Sequence, residues 1–436
     1  MNTGVKLWNK AKKIIPGGNQ LLSKRSEMFL PGAWPSYYKK AVGAKVWDLD
    51  DRRYLDMSIM GMGTCILGYA NKDVNQAVTK AINAGSMATL NCHEEVELAE
   101  KLIDLHPWAQ MVRFTRTGGE ACSMAIRIAR AASRKDKIAF CGYHGWSDWY
   151  LAANLADVGN LNQQLLPGLE PLGVPRALKK TAIPFTYGNI SELEEIVSKN
   201  KNEMGVIMME VQRHKEIDLE FLKGVRKIAN RTGAVLIFDE VTSGFRLRPG
   251  GMHVLYNLEP DIVVLGKALG NGFPIAAVVG KKKVMQAAQE TFISSTFWSE
   301  RVGFAAALEV IRQFETKSVA RHLVSIGNYI KKNLTEIFSS QGLNMEVVGI
   351  SSAPCLVIKE NEPLVIKTVF TQEMLSRGFL AGTLTYVSLA HTQKIVDQYL
   401  KAAEQVFGSI AEAIRKGRLK KMLKGPVCHG GFKRLN

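Results

Sequence analysis

The chain has 436 residues, 46% of them hydrophobic and 22% charged, the composition of an ordinary globular protein with a large core. Its net charge of +17 comes with eight lysines and arginines and no acid between Arg415 and Asn436, but with no helix-turn-helix, zinc-finger or RNA-binding signature, so no nucleic-acid partner is expected. No apolar run approaches the roughly 18 residues needed to span a bilayer, and lysines interrupt the N-terminal Val5-Lys-Leu-Trp-Asn-Lys-Ala, so neither membrane nor signal peptide is expected and the location expected is cytoplasmic. Six scattered cysteines without a Cys-x-x-Cys pair argue against a disulfide framework and against a bound metal.

Residues 1–60 open lysine-rich, turn at Pro16-Gly-Gly, and then predict a hairpin in which Ala44–Asp50 and Arg53–Met57 flank Asp50-Asp-Arg. This segment has too little apolar surface for a core of its own and should pack on another part of the chain. From 61 to 305, helical stretches alternate with Val112-Arg-Phe-Thr, Lys137-Ile-Ala-Phe-Cys, Val206-Ile-Met-Met-Glu, Val235-Leu-Ile-Phe-Asp, Ile262-Val-Val-Leu and Ala276-Ala-Val-Val. Such alternation predicts a mostly parallel sheet covered on both faces. Beyond 306 the pattern gives helices over 305–314 and 320–338, strands within 346–359 and an amphipathic helix over 392–415. The basic tail after it carries no pattern that predicts order.

Two of the apolar runs end in chemistry. Asp239 closes Val-Leu-Ile-Phe-Asp, and Lys267 follows Val-Val-Leu-Gly, 28 residues on, a separation that suits a strand, a crossover and a second strand of a βαβ-like unit. An acid and an amine would then stand at the carboxyl ends of neighbouring strands, where open α/β sheets bind ligands. Pyridoxal 5′-phosphate chemistry needs both, a lysine for the Schiff base and a carboxylate to keep the pyridine nitrogen protonated. The alternative for Asp239 is a structural strand end, and for Lys267 a surface amine, although surface lysines rarely stand between apolar runs and glycines. Thr117-Gly118-Gly119-Glu120-Ala sits between a strand and a helical pattern, where main-chain N–H groups can meet a phosphate.

These segments, together with Ile15-Pro-Gly-Gly, Val46-Trp-Asp-Leu-Asp, Tyr143-His-Gly-Trp and Ser388-Leu-Ala-His, resemble the class III, fold-type-I pyridoxal-phosphate aminotransferases, and among them the glutamate-1-semialdehyde 2,1-aminomutase group. The resemblance implies an α/β fold: a large cofactor-binding domain over 61–305 with a mostly parallel central sheet, and a smaller α+β domain built from 1–60 and 306–436. It also implies a homodimer with shared active sites. Lys267 would carry the Schiff base and shuttle a proton, Asp239 would hold the ring nitrogen, and Val241 and Tyr143 would lie against the ring's two faces. Gly118 and Gly119 would bind the phosphate through main-chain amides, the family's usual Ser-Gly-Thr being Thr-Gly-Gly here, and Thr296 would reach it from the neighbouring subunit. Glu210 would lie near the cofactor's O3′ and Lys267, although Val211-Gln-Arg213-His214-Lys215 departs from the family's pattern. His144 would orient other groups, and His253 and His391 would be structural.

The aminomutase carries a glutamate shortly before its Ser-x-Ala-His turn and an arginine for the substrate carboxylate near the N-terminus. Here Gly378–His391 contains no acid, and Ser23-Lys24-Arg25 stands in a different local context. Trp34, Trp146, Trp149 and Trp298 fall in segments the family folds toward the site, where aromatic rings could pack on a polyhydroxy substrate or simply fill the core. The expected activity is a transaminase that moves an amino group from an amino acid, L-glutamate first, to a keto or aldehyde acceptor, a sugar-like one of surface-polysaccharide biosynthesis being favoured. The aminomutase is the alternative, and a non-catalytic basic binding protein on the same fold the lesser one.

Overall fold

The apolar runs form the strands expected of them. The structure, a computed structural model, describes residues 2–164, 167–212 and 216–435. Chain contacts divide it into two units, Lys72–Ala320 and Met1–Asn71 with Arg321–Asn436, where the sequence suggested breaks near 60 and 305.

The unit over 72–320 is built on seven strands: β1 (Met111–Thr115), β2 (Lys137–Cys141), β3 (Ala182–Pro184), β4 (Met204–Glu210), β5 (Val235–Asp239), β6 (Ile262–Leu265) and β7 (Ala276–Gly280). Their order in the sheet is β1-β7-β6-β5-β4-β2-β3, and β7 alone runs against its neighbours. Every residue of β4, β5, β6 and β7 is buried, which explains why they read as unbroken apolar runs rather than alternating ones. Helix α1 (Gly118–Ser133) packs Ala121, Ala125, Ile128 and Ala129 into the core with Phe140, Met208 and Ile237 of the sheet. The crossover from β5 to β6 holds no α-helix, only a 3-10 turn at Met252–Tyr256. Buried Glu240 fixes this loop instead, accepting from His253 Nδ1 (2.6 Å), the N–H groups of Met252 (2.6 Å) and His253 (3.0 Å), and Ser243 Oγ (3.0 Å). Burial alone would raise the Glu240 carboxyl's pKa; the His253 bond and charge and the main-chain N–H groups outweigh it and hold the carboxyl below its ordinary range.

The other unit carries a four-stranded sheet of Tyr38–Val42, Lys45–Asp48, Arg53–Met57 and Phe379–Ala381, so the expected hairpin forms and gains a parallel strand that the sequence did not announce. Helices Val319–Gln341 and Gln393–Arg415 match the expected ones, and Thr392 caps the latter through Ile395 N–H. Helix Pro363–Ser376 was not expected. The basic tail is a correction: it is anchored, with Cys428 buried and its N–H on Thr368 Oγ1 (3.0 Å), while Gln372 takes the Lys424 N–H (2.8 Å) and gives to the Met422 carbonyl (2.9 Å). His391 is buried, accepting from Ser388 N–H through Nδ1 (2.9 Å) and meeting the Asp56 carbonyl through Nε2 (2.8 Å), a structural post as expected. Among the described residues no helix is long and apolar enough to cross a membrane.

Candidate active site

Parallel register sets the site. Glu210 of β4 pairs with Asp239 of β5, and Asp239 pairs with Val264 of β6, so the two acids lie side by side where these strands end and Lys267 follows three residues past Val264. Lys267 stands at φ 42°, in the left-handed region where glycine is the ordinary occupant. Its Nζ donates to Thr242 Oγ1 at 2.7 Å.

Asp239 is buried and thoroughly held. Its Oδ1 accepts the Val241 N–H (3.0 Å), and its Oδ2 meets His144 Nδ1 (2.7 Å) and the Cys122 thiol (3.4 Å). Burial pushes its pKa up; His144's hydrogen bond and charge, then Val241 and Cys122, outweigh that and keep it below the usual carboxylate value. The Cys122 thiol is pushed well up by burial and by the Asp239 charge, so it stays a proton donor. His144 also faces the Cys141 carbonyl through Nε2 (3.2 Å), which fixes the ring as the orienting group expected of it. No local pattern could have revealed Cys122 or Thr242, since these contacts join residues far apart in the chain.

At the start of α1, Thr117 is the N-cap and Glu120 completes a capping box, its Oε2 accepting the Thr117 N–H at 2.8 Å. The box uses the Glu120 N–H and leaves those of Gly118 and Gly119 at the positive end of the helix. A Cβ on Gly118 would come within 2.8 Å of Val241 Cγ1, so only glycine lets the helix start close on the turn after Asp239. The Gly142–Gly145 loop brings Tyr143 in beside Glu210, whose Oε2 accepts the Tyr143 N–H (3.2 Å). Gly142 has φ 116°, and a Cβ there would lie 2.6 Å from that carboxylate. Glu210 thus holds the Tyr143 main chain at the edge of the site. Residues 213–215 of the departing segment lie outside the described residues.

Thr296 is exposed and begins a single 3-10 turn, Thr296–Ser299. Arg116 ties that turn to the helix start, donating to the carbonyls of Phe297 (2.6 Å), Trp298 (3.3 Å) and Glu300, while the Trp298 indole donates to Glu120 Oε1 (3.2 Å). The four tryptophans separate. Trp34 is buried against Phe29, Trp149 packs in the core among Phe140, His144 and Tyr150, Trp298 serves Glu120, and Trp146 is 75% exposed beside Gly119. His253 is structural, accepting from Trp108 Nε1 (2.9 Å) and serving Glu240.

The donor set fits pyridoxal 5′-phosphate. A carboxylate offers about four lone-pair sites; three of those on Asp239 are used, and one remains for a ring N–H. Two amides at a helix start suit a phosphate, and Lys267 supplies an amine at the end of the next strand.

Comparison with known proteins agrees. The class-III aminotransferase profile matches residues 31–395. A 3-aminobutyryl-CoA aminotransferase of Cloacimonas acidaminovorans is 31% identical, covering 84% of this chain and 86% of its own. A glutamate-1-semialdehyde 2,1-aminomutase of Methanobrevibacter smithii is 33% identical over 79% of this chain and 81% of its own. Among solved structures, an omega-transaminase from Sphaerobacter thermophilus superposes with a TM-score of 0.82 at 25% identity, covering 94% of this chain and 98% of that one. The FumI protein of Sphingopyxis sp. MTA144, solved with pyridoxal phosphate, has a TM-score of 0.86 over 97% of this chain and 100% of its own, at 24% identity, and shares the fold. The chain belongs to the class-III aminotransferases, fold-type-I enzymes that work with pyridoxal 5′-phosphate.

Proposed function

We propose that this enzyme is a transaminase that takes its amino group from an amino acid, L-glutamate foremost, and passes it to a separate keto or aldehyde acceptor of hydroxylated, sugar-like character, of the kind used in surface-polysaccharide biosynthesis. The observation that carries the reading is the absence of the groups an intramolecular mutase would use. Gly378–His391 has no acid. Arg25 is engaged within its own unit, donating to the Lys433 carbonyl (3.0 Å) with its guanidinium 5.7 Å from the Phe432 ring centre. The exposed Trp146 indole supports the acceptor class, because an aromatic face packs well on the C–H face of a sugar.

In this reading Lys267 would hold the cofactor through Nζ and would move a proton at the donor's α-carbon. Asp239 would keep the ring nitrogen protonated, and Val241 and Tyr143 would lie against the ring. Glu210 holds the Tyr143 main chain in place. Gly118 and Gly119 bind the phosphate through their N–H groups. Pyridoxal phosphate, when bound, supplies the electron sink that makes the α-proton removable.

The test is spectral. Adding L-glutamate alone should convert the yellow enzyme to its amine-bearing form with release of 2-oxoglutarate, and keto-sugars or sugar nucleotides should reverse the change. The reading fails if glutamate, glutamine, alanine and aspartate all leave the spectrum unchanged while glutamate-1-semialdehyde is turned over to 5-aminolevulinate.

Thr296 from a second copy would complete the phosphate site. Phe292 (83% exposed) and Phe297 (64% exposed) flank it, and exposed aromatics of this size suit a subunit interface. Mixing a Lys267→Ala chain with a Thr296→Ala chain should therefore regain activity, because one site of the mixed dimer has both residues intact. Activity no greater than that of the diluted Thr296→Ala enzyme would place Thr296 outside the neighbour's site.

A further inference from the structure

We propose that Thr242 is a positioning residue for the Lys267 amine: its hydroxyl receives Nζ whenever the amine is not bound to cofactor and holds it where proton transfer occurs. The inference rests on the Lys267 role given above, but not on the identity of donor or acceptor.

Strand register brings the two together. β5 and β6 are parallel neighbours with Asp239 opposite Val264, and three residues past each partner stand Thr242 and Lys267. Two side chains equally far along adjacent strand ends meet, and the Nζ to Oγ1 distance is 2.7 Å. Both partners are fixed from behind. The Thr242 carbonyl accepts from Nε of the fully buried Arg246 (2.5 Å), and the turn is closed by Gly244 N–H on the Glu240 carbonyl (2.8 Å). Lys267 is fixed by its left-handed backbone.

The chemistry favours a hydroxyl at this point. An uncharged oxygen accepts one N–H without an anion's hold on the ammonium form, so a neutral amine can rest on it with its lone pair free. A carboxylate in the same place would keep the amine protonated and poor as a base. Threonine's branched side chain restricts χ1, so the oxygen samples few positions around the amine.

Thr242→Val keeps the shape and removes the acceptor. Loss of one hydrogen bond to a reacting group corresponds to about tenfold. The cofactor-free protein carrying Thr242→Val should take up pyridoxal 5′-phosphate about tenfold more slowly by absorbance, and the loaded enzyme should lose about tenfold in kcat with the donor KM nearly unchanged. Thr242→Ser should restore both, and Thr242→Ala should repeat the valine result should the valine chain fold poorly. Wild-type uptake and kcat in the valine and alanine variants would overturn the proposal, as would a serine variant no better than valine. A Lys267→Ala chain that still fixes the cofactor covalently would instead overturn the Lys267 role itself.

Discussion

Replacing Lys267 with alanine will leave a folded chain that binds pyridoxal 5′-phosphate only reversibly and turns over at least about 10⁴-fold more slowly. The fold should survive because Lys267, hydrogen-bonded to Thr242, is not one of the apolar side chains that build the core. The backbone at φ 42° is as strained for alanine as for lysine, so the substitution changes neither the turn nor its cost. Lysine in that conformation is itself informative: at a position suited to glycine, the chain keeps a side chain for its amine. Borohydride treatment followed by peptide mass mapping gives the decisive readout. Wild type should carry the reduced cofactor on Lys267 and the variant on no residue; a label that persists on another lysine removes Lys267 from the chemistry.

Asp239 and Lys267 were legible because each closes an apolar run, and strands buried on both faces have no polar positions to blur their ends. What supports them was legible only in part. His144 was expected to orient its neighbours, but Cys122 comes to Asp239 from α1 and Thr242 comes to Lys267 through the register of β5 and β6, contacts that no local pattern shows. The crossover between the two runs read as a βαβ-like unit, yet buried Glu240 organises it through four donors without a helix. Helix Pro363–Ser376 escaped for a related reason. Covered by helix Gln393–Arg415, with Phe370 stacked on Phe407 at 4.6 Å, and by the tail through Gln372 and Thr368, it is apolar around most of its circumference and shows no period of 3.6. The tail carried no pattern that predicts order because several of its anchors, the Lys424 and Cys428 N–H groups and the Met422 carbonyl, belong to the main chain, which no side-chain pattern records. The four tryptophans were equivalent in sequence, and of these Trp146 alone is largely exposed.

Asp239→Asn should weaken cofactor binding and slow the amino-donor half-reaction by on the order of a thousandfold, measured by equilibrium dialysis and single-turnover absorbance. The geometry makes the loss hard to repair. Val241 N–H, His144 and the Cys122 thiol already surround the carboxylate, and a ring N–H would be the fourth donor. An amide offers one oxygen where the acid offers two, so whichever way Asn turns, its NH₂ faces a donor and a buried bond is lost. Near wild-type turnover would reduce Asp239 to a structural strand end. The ionisation has a pH signature as well. His144, Val241 and Cys122 together overcome burial and hold the carboxyl below its ordinary value, so the folded pKa is lower than the unfolded one of about 3.9. A depressed folded pKa contributes stability that is fully present above the unfolded value and lost as pH falls through the folded one. Asp239 should therefore stay charged at every pH where the enzyme works, and thermal unfolding of wild type should lose stability below about pH 4 more steeply than that of Asp239→Asn, whose amide has no proton to gain. Equal acid slopes would mean that the carboxylate is not held as the three donors imply, and its claim on a ring nitrogen would weaken with it.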